Sequence, residues 1–213
     1  MKFSTYFSKQ ARKPSGLFGI FYMSRIFNKG NAKINELVKD TLAIQENEHG
    51  LEIGFGTGVL LSAITENLEN GLMEGIDFSK SMLSIAGKKN KKAIKEGKVK
   101  LILGDFDKMP FDENSFDKIF TVHTIYFWKN PKATISKIYS LLKPGGKVVI
   151  GFKDKSVMEK MPLNKDVFQY YSTDDVANIL STNKMFNNIV ILSNRGTNDN
   201  CYCAVGIKNK NTV

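Results

Sequence analysis

Cysteine is nearly absent: the 213 residues hold two, Cys201 and Cys203. They alternate in a strand-like run, Asn-Cys-Tyr-Cys-Ala-Val-Gly-Ile, so they share one face of one segment. That spacing is too close for an ordinary structural bridge and excludes a disulfide-built scaffold. It fits reduced, small packing residues in a cytoplasmic protein. Long apolar runs are missing too, none approaching the ~20 residues a membrane span needs. The phosphate-cradling pattern Gly-x-x-x-x-Gly-Lys-Ser/Thr occurs nowhere, which excludes a P-loop. Internal repeats and linkers are also lacking. A chain that is 42% apolar and of this length reads as one domain, residues 1–213, with no metal site expected.

Acid is missing from the first part of the chain. Nothing acidic precedes Glu36, whereas Lys2, Lys9, Arg12, Lys13, Arg25, Lys29 and Lys33 are basic. The net charge of +10 favours anionic partners or surfaces and decides nothing about fold. A basic N-terminus of this kind serves as a lid over a site or as an amphipathic segment in peripheral contact with an anionic membrane. The apolar run Leu17 to Met23 is short, is interrupted by Gly19 and lacks a following small-residue cleavage site. We therefore expect residues 1–45 to be a helical cap over a core of residues 46–213, with the membrane contact as the alternative.

What the chain does have is Leu51-Glu52-Ile53-Gly54-Phe55-Gly56-Thr57-Gly58, followed by Gly75-Ile76-Asp77. An apolar strand runs into a turn whose glycines let the backbone approach a ligand where a Cβ would collide. A carboxylate about twenty residues later, at the tip of the next parallel strand, can accept both hydroxyls of a ribose. The pair points to a nucleoside-containing cofactor. A dinucleotide fingerprint would place a third glycine at Val59 or Leu61, and neither is glycine. Instead the glycines alternate, and Glu52 stands two residues before the first.

Beyond that motif, strands are read at 51–54, Leu72 to Asp77, Val99 to Leu103, Phe116 to Val122 and Lys147 to Phe152. Ser79 caps a lysine-rich helix with Met82, Leu83 and Ala86 inward and Lys88, Lys89, Lys91, Lys92 and Lys95 outward. Asn130-Pro131 opens a helix that Lys143-Pro144-Gly145-Gly146 stops. Ser172-Thr173-Asp174-Asp175 is a capping box. Two further strands, Asn188 to Leu192 and Cys201 to Ile207, are joined by a polar turn containing Gly196 and must run antiparallel. Alternation followed by a hairpin predicts an α/β fold: a doubly wound, Rossmann-like seven-stranded sheet, mostly parallel with the last strand antiparallel.

The Glu-x-Gly-x-Gly-x-Gly pattern resembles the first motif of the class I S-adenosylmethionine (SAM) methyltransferases. Gly104-Asp105-Phe106 with Met109-Pro110-Phe111 resembles the family's adenine-binding turn. Phe116-Asp117-Lys118-Ile119-Phe120 resembles its fourth strand, and Leu142-Lys143-Pro144-Gly145-Gly146 the turn before its fifth. The resemblance implies SAM as cofactor. Glu52, Gly54 and Gly56 would surround its methionine end, with Phe55 and Gly58 in the same turn. Asp77 would hold the ribose beside Phe78, and Asp105 and the Phe106 N–H would meet the adenine. The backbone around His123 would take the cofactor's ammonium.

Methyl transfer is an in-line displacement for which the protein mainly aligns nucleophile, methyl and leaving sulfur. His123 lies after the fourth strand, at the end of the sheet where ligands bind, and its titration range suits a base. With Tyr126 it forms the candidate catalytic pair, although positioning or packing explains His123 equally well and core packing is the default reading of Tyr126 and Trp128. Tyr126 and Trp128 otherwise read as an apolar or cation-binding wall. No Asn/Asp-Pro-Pro-Tyr/Phe motif follows the strand, which argues against a flipped nucleic-acid base and for a small-molecule acceptor. Three alternatives stay open. The acceptor is a lipid or an RNA, the protein binds SAM without catalysis, or Tyr139 and Lys143 form the Tyr-x-x-x-Lys pair of a nicotinamide oxidoreductase. The oligomeric state is not legible.

Overall fold

The computed structural model describes residues 3–14, 16, 24–182, 185–193 and 201–210. Strands β1 (His49–Ile53) and β2 (Leu72–Asp77) are buried along nearly their whole length. Runs buried on both faces belong to a parallel sheet covered by helices on both sides. That sheet has the order β3-β2-β1-β4-β5-β7-β6, with β3 at Val99–Leu103, β4 at Phe116–Val122, β5 at Leu142–Lys153, β6 at Phe186–Ser193 and β7 at Cys201–Lys208. β1 through β5 pair in parallel, and β7 runs antiparallel to both neighbours, as expected. The reversed strand sits inside the sheet, between β5 and β6. The expected turn around Gly196 lies outside the described residues.

Two cores follow from the two covered faces. Helices α3 (Ala32–Leu42), α4 (Val59–Thr65) and α5 (Lys80–Lys89) enclose one, with Ile34, Val38, Leu61, Met82 and Phe120 at its centre. Cys203 is buried there, and burial pushes its thiol up to about 12. Helices α7 (Pro131–Leu141) and α9 (Thr173–Leu180) enclose the other around Ile119, Ile135, Ile138, Val176 and Leu180. Each is capped as its sequence predicts: Asn130 accepts from the Ala133 N–H, and Ser172 and Asp175 exchange both bonds of a capping box. Helices α1 (Phe3–Arg12) and α2 (Ser24–Gly30) precede α3. No helix among the described residues is long and apolar enough to cross a membrane.

β1 starts two residues before its sequence reading and ends one before it, β6 is longer at both ends, and two further elements depart in kind. The lysine-rich helix breaks at Asn90 into α5 and α6 (Lys91–Lys95). Asn90 is buried because its side-chain amide donates to Gly58 O and Ala86 O, both at 3.0 Å. Strand β5 begins at Leu142, so the Lys-Pro-Gly-Gly stop lies within the strand as a bulge between the Phe116–Leu142 and Lys118–Lys147 pairs. Gly145 takes φ +80° there, a conformation that costs other residues steric strain.

Ionic contacts gather at the amino ends of the parallel strands. Asp117 accepts from Lys143 Nζ at 2.7 Å and from the His49 N–H at 2.9 Å. Glu74 bridges His49 and Lys100. The carboxyl ends are left for other work. In the strand order the chain turns opposite ways on either side of β1 and β4. In open α/β sheets such a switch point leaves a crevice at the strands' carboxyl ends.

Asn90→Ala should cost roughly 1–3 kcal/mol, since it removes two buried side-chain hydrogen bonds, to Gly58 O and Ala86 O, each worth about 0.5–1.5 kcal/mol. Urea unfolding should show a lower midpoint with an unchanged slope.

Candidate active site

The crevice is a cavity of about 1160 Å³ running along the carboxyl ends of β1, β2, β4 and β5. Single ligand sites span a few hundred to about 1,000 Å³, so this one has room for a cofactor and a small acceptor together. Its floor is the turn between β1 and α4. Gly54, Gly56 and Gly58 all have positive φ, at +75°, +52° and +71°. A Cβ on Gly54 would collide with the Thr124 methyl group, whereas one on Gly56 would meet no atom. The space beside Gly56 is the cavity. Gly58 differs from expectation: it is the N-cap of α4 and does not line the cavity. Its Cβ would strike Asn90 and Ala86, so the third glycine serves helix packing.

Two carboxylates meet this turn. Asp77 Oδ2 accepts from the Gly56 N–H at 3.0 Å and Oδ1 from the Ser79 N–H at 2.8 Å. Burial raises its pKa to about 6 against the lowering effect of those two bonds. Glu52 is buried at 3% exposure, and its Oε2 has no hydrogen-bond partner. Desolvation first, and the nearby Asp77 charge second, hold its pKa well above the usual carboxylate range. A buried orphan oxygen on a cavity wall is unsatisfied until something donates to it.

At the far side, the turn after β3 carries Asp105 and Phe106. Asp105 is exposed on the cavity wall, while the Phe106 side chain is buried in the core. Lys137 Nζ holds this turn by donating to Met109 O at 2.7 Å and to Phe106 O. Phe78 is 38% exposed and also lines the cavity. The positions singled out in the glycine turn, at Asp77 and Phe78, and at Asp105 and Phe106 are thus brought to one cavity, Gly58 excepted. Phe55 lines it from a buried position.

His123 closes the site. It follows β4 with φ +59°, a strained backbone for a non-glycine residue, and its N–H donates to Gly151 O at 2.8 Å. Its Nδ1 lies 3.2 Å from the Tyr126 hydroxyl, which accepts from the Lys153 N–H at 2.6 Å. Burial, then the Lys153 charge, lower the imidazole pKa to about 3. Burial raises that of Tyr126. The ring is therefore neutral at physiological pH, and the phenol stays protonated.

A family profile described as a methyltransferase domain matches residues 51–150. YrhH of Bacillus subtilis, provisionally named a methyltransferase, is 32% identical over 127 residues, covering 60% of this chain and 69% of that one. This chain belongs to the class I SAM-dependent methyltransferases. The demethylmenaquinone methyltransferase of Oceanobacillus iheyensis is 34% identical over 115 residues, 52% of this chain and 48% of its own. A SAM-dependent methyltransferase from Aquifex aeolicus superposes with a TM-score of 0.68 at 20% identity, covering 97% of this chain and 100% of that one; it shares the fold.

Several contacts carried no sequence signal. Asn164 joins the segment after α8 (Lys155–Met158) to α1: its N–H donates to Ser8 Oγ at 2.9 Å and its side-chain amide to Thr5 Oγ1 at 2.8 Å. Thr57 in the glycine turn donates to Asn28 Oδ1 of α2 at 2.6 Å, and Ser79 Oγ to Pro14 O at 3.0 Å. Tyr139 and Lys143 lie away from the cavity. Lys143 is paired with Asp117, and the Tyr139 ring lies under Lys208.

The raised pKa of Asp77 has a stability consequence. A carboxyl that binds its proton more tightly in the folded state stabilises fully below its unfolded value near 3.8. That stabilisation is lost as pH rises through about 6. His123 works in the opposite sense, since its lowered pKa costs stability as pH falls below 6.5. Comparison with Asp77→Asn isolates the carboxylate. In the ligand-free protein, thermal melts at pH 4 and pH 7 should show the variant gaining on wild type as pH rises, by an amount on the order of 3 kcal/mol at most.

Proposed function

We propose that this protein transfers the methyl group of SAM to a small, partly apolar acceptor held above the glycine turn. The observation that carries the reading is the orphaned Glu52 oxygen, buried beside an open space next to Gly56 and a carboxylate at Asp77. That set of acceptors fits a ligand that bears an ammonium and a ribose and lacks phosphate. When bound, SAM supplies an activated methyl group on a sulfonium sulfur. Every remaining task falls to the chain.

In this reading Glu52 and the Gly54–Gly56 backbone hold the methionine end, with the backbone at His123 beside the ammonium. Asp77 accepts from the ribose hydroxyls through lone pairs that its two backbone bonds leave open. Phe78 covers the adenine, and Asp105 with the Phe106 N–H reads its edge. Helices α1 and α2 with residues 154–171 form the lid, and Asn164 ties the second segment to α1. The acceptor lies against Tyr126, Phe127 and Trp128, which line the other half of the cavity.

His123 acts as a positioning group. A ring whose pKa sits near 3 is unprotonated at working pH and is a poor proton acceptor there. Tyr126 fixes that ring through its hydroxyl. The acceptor therefore arrives with its nucleophilic lone pair already available.

Radiolabelled methyl transfer from SAM to a pool of small aromatic and lipid-precursor acceptors tests the activity directly. Asp77→Ala should lower cofactor affinity by tenfold or more while the fold persists, read by calorimetry and circular dichroism. Affinity within twofold of wild type would refute the ribose assignment. His123→Ala should reduce turnover without abolishing it, and the wild-type rate should show no ionisation attributable to His123 between pH 6 and 9. A rate that rises with a midpoint near pH 6.5 and is lost in His123→Ala would make His123 the base after all.

A further inference from the structure

The half of the cavity away from the glycine turn is apolar. The Tyr126, Phe127 and Phe168 rings pack on one another with centroids 4.7–6.3 Å apart, and Trp128, Met158 and Leu163 continue the wall. The carboxyl end of β5 brings one ammonium to this enclosure, that of Lys153. Its main chain is fixed: the N–H donates to Tyr126 and the residue pairs with Cys201 of β7. Lys153 is half-buried, lines the cavity and forms no ion pair with a described carboxylate.

The acids nearby are occupied or distant in role. Asp154, next in the chain, caps α8, accepting from the Ser156 N–H at 2.9 Å, Ser156 Oγ at 2.6 Å and the Thr173 N–H at 3.1 Å. Glu52 and Asp77 belong to the glycine turn. Asp107 accepts from Thr134, Asp105 accepts from the Asp107 N–H, and Asp166 is exposed at the rim. On α1, Lys9 and Arg12 reach the same cavity and also form no ion pair with a described carboxylate. The positive potential is already felt inside, where Lys153 helps to keep the His123 ring neutral.

A half-buried lysine that lines a largely apolar wall and is paired with no described carboxylate favours an anionic partner. We propose that the methyl acceptor is an organic anion with an apolar, ring-sized body, and that Lys153 is its counter-ion. A carboxylate or phenolate oxygen meets the Lys153 ammonium while the body packs against the aromatic wall. The assignment rests on the methyltransferase reading of the same cavity, because it concerns the half the cofactor leaves free. It also separates two uses of an aromatic wall. Aromatic faces alone attract cations, whereas a cationic acceptor here would face a like charge.

The test uses full-length protein loaded with S-adenosylhomocysteine and three probes that share one bicyclic body: 2-naphthoate, 2-naphthylmethanol and 2-naphthylmethylammonium. Calorimetry at pH 8 should find naphthoate at least tenfold tighter than the alcohol, with the ammonium weakest. Lys153→Met should bring naphthoate and the alcohol within twofold, and Lys153→Arg should keep most of the preference. Unchanged melting and S-adenosylhomocysteine affinity in both variants establish that the fold and the cofactor half survive. Equal binding of the three probes, tighter binding of the ammonium, no naphthoate binding at millimolar concentration, or a preference retained in Lys153→Met would each overturn the proposal. Failure of S-adenosylhomocysteine to bind wild type would overturn the methyltransferase reading and this proposal with it.

Discussion

Two buried carboxylates at the ends of neighbouring parallel strands, Glu52 and Asp77, are the constraint around which the rest of this site is arranged. Parallel pairing of β1 with β2 forces them to the same edge of the sheet. The glycine turn then supplies what the ligand-free state needs, a Gly56 N–H for one oxygen of Asp77, while Ser79 supplies the other. Glu52 gets nothing for its Oε2. Such a pair is held at a cost by the packed cores on either side. The tension between fold and site lies in the sheet itself.

The surrounding devices keep the turn in place. Asn90 ties the Gly58 carbonyl to the break between α5 and α6. Thr57 and Ser79 reach out to α2 and to Pro14, and Asn164 closes the loop from α1 to the segment after α8. Helix α1 and Pro14 are thereby tied to the cavity's rim, and Lys9, Arg12 and Lys13 line the cavity. At the opposite end of the sheet, Glu74 and Asp117 absorb His49, Lys100 and Lys143, so the lysines of the two ends have different fates.

How much of this was legible depended on how local the cause was. β2 and β3 were read to the residue because each is a short, largely apolar run ended by an acid or a glycine, and β4 because its Phe-x-x-Ile-Phe-x-Val apolar pattern follows the polar Asp112–Ser115 turn. The caps at Ser79, Asn130 and Ser172 were legible for the same reason. The helix break at Asn90 was not: its cause is a carbonyl 32 residues away, hidden in a lysine-rich run that looks continuous. β5 began early because the bulge at Gly145 is paid for by pairing with β4, which the Pro-Gly-Gly stop concealed. Gly58 looked like part of a ligand cradle and proved to be a helix contact. The candidacy of His123 was legible from its place after β4. Its neutrality was not, since that arises from burial and from Lys153, 30 residues on.

The central claim is that the Glu52–Asp77 pair awaits a cationic cofactor. Calorimetric titration of the protein with SAM near pH 6.5, repeated in buffers of different ionisation enthalpy, counts the protons exchanged on binding. Docking an ammonium and a ribose on carboxyls whose pKa values are raised should ionise them, so binding should release a substantial fraction of a proton, less in Glu52→Gln. Tight binding with no proton released, or with protons taken up, would contradict the account.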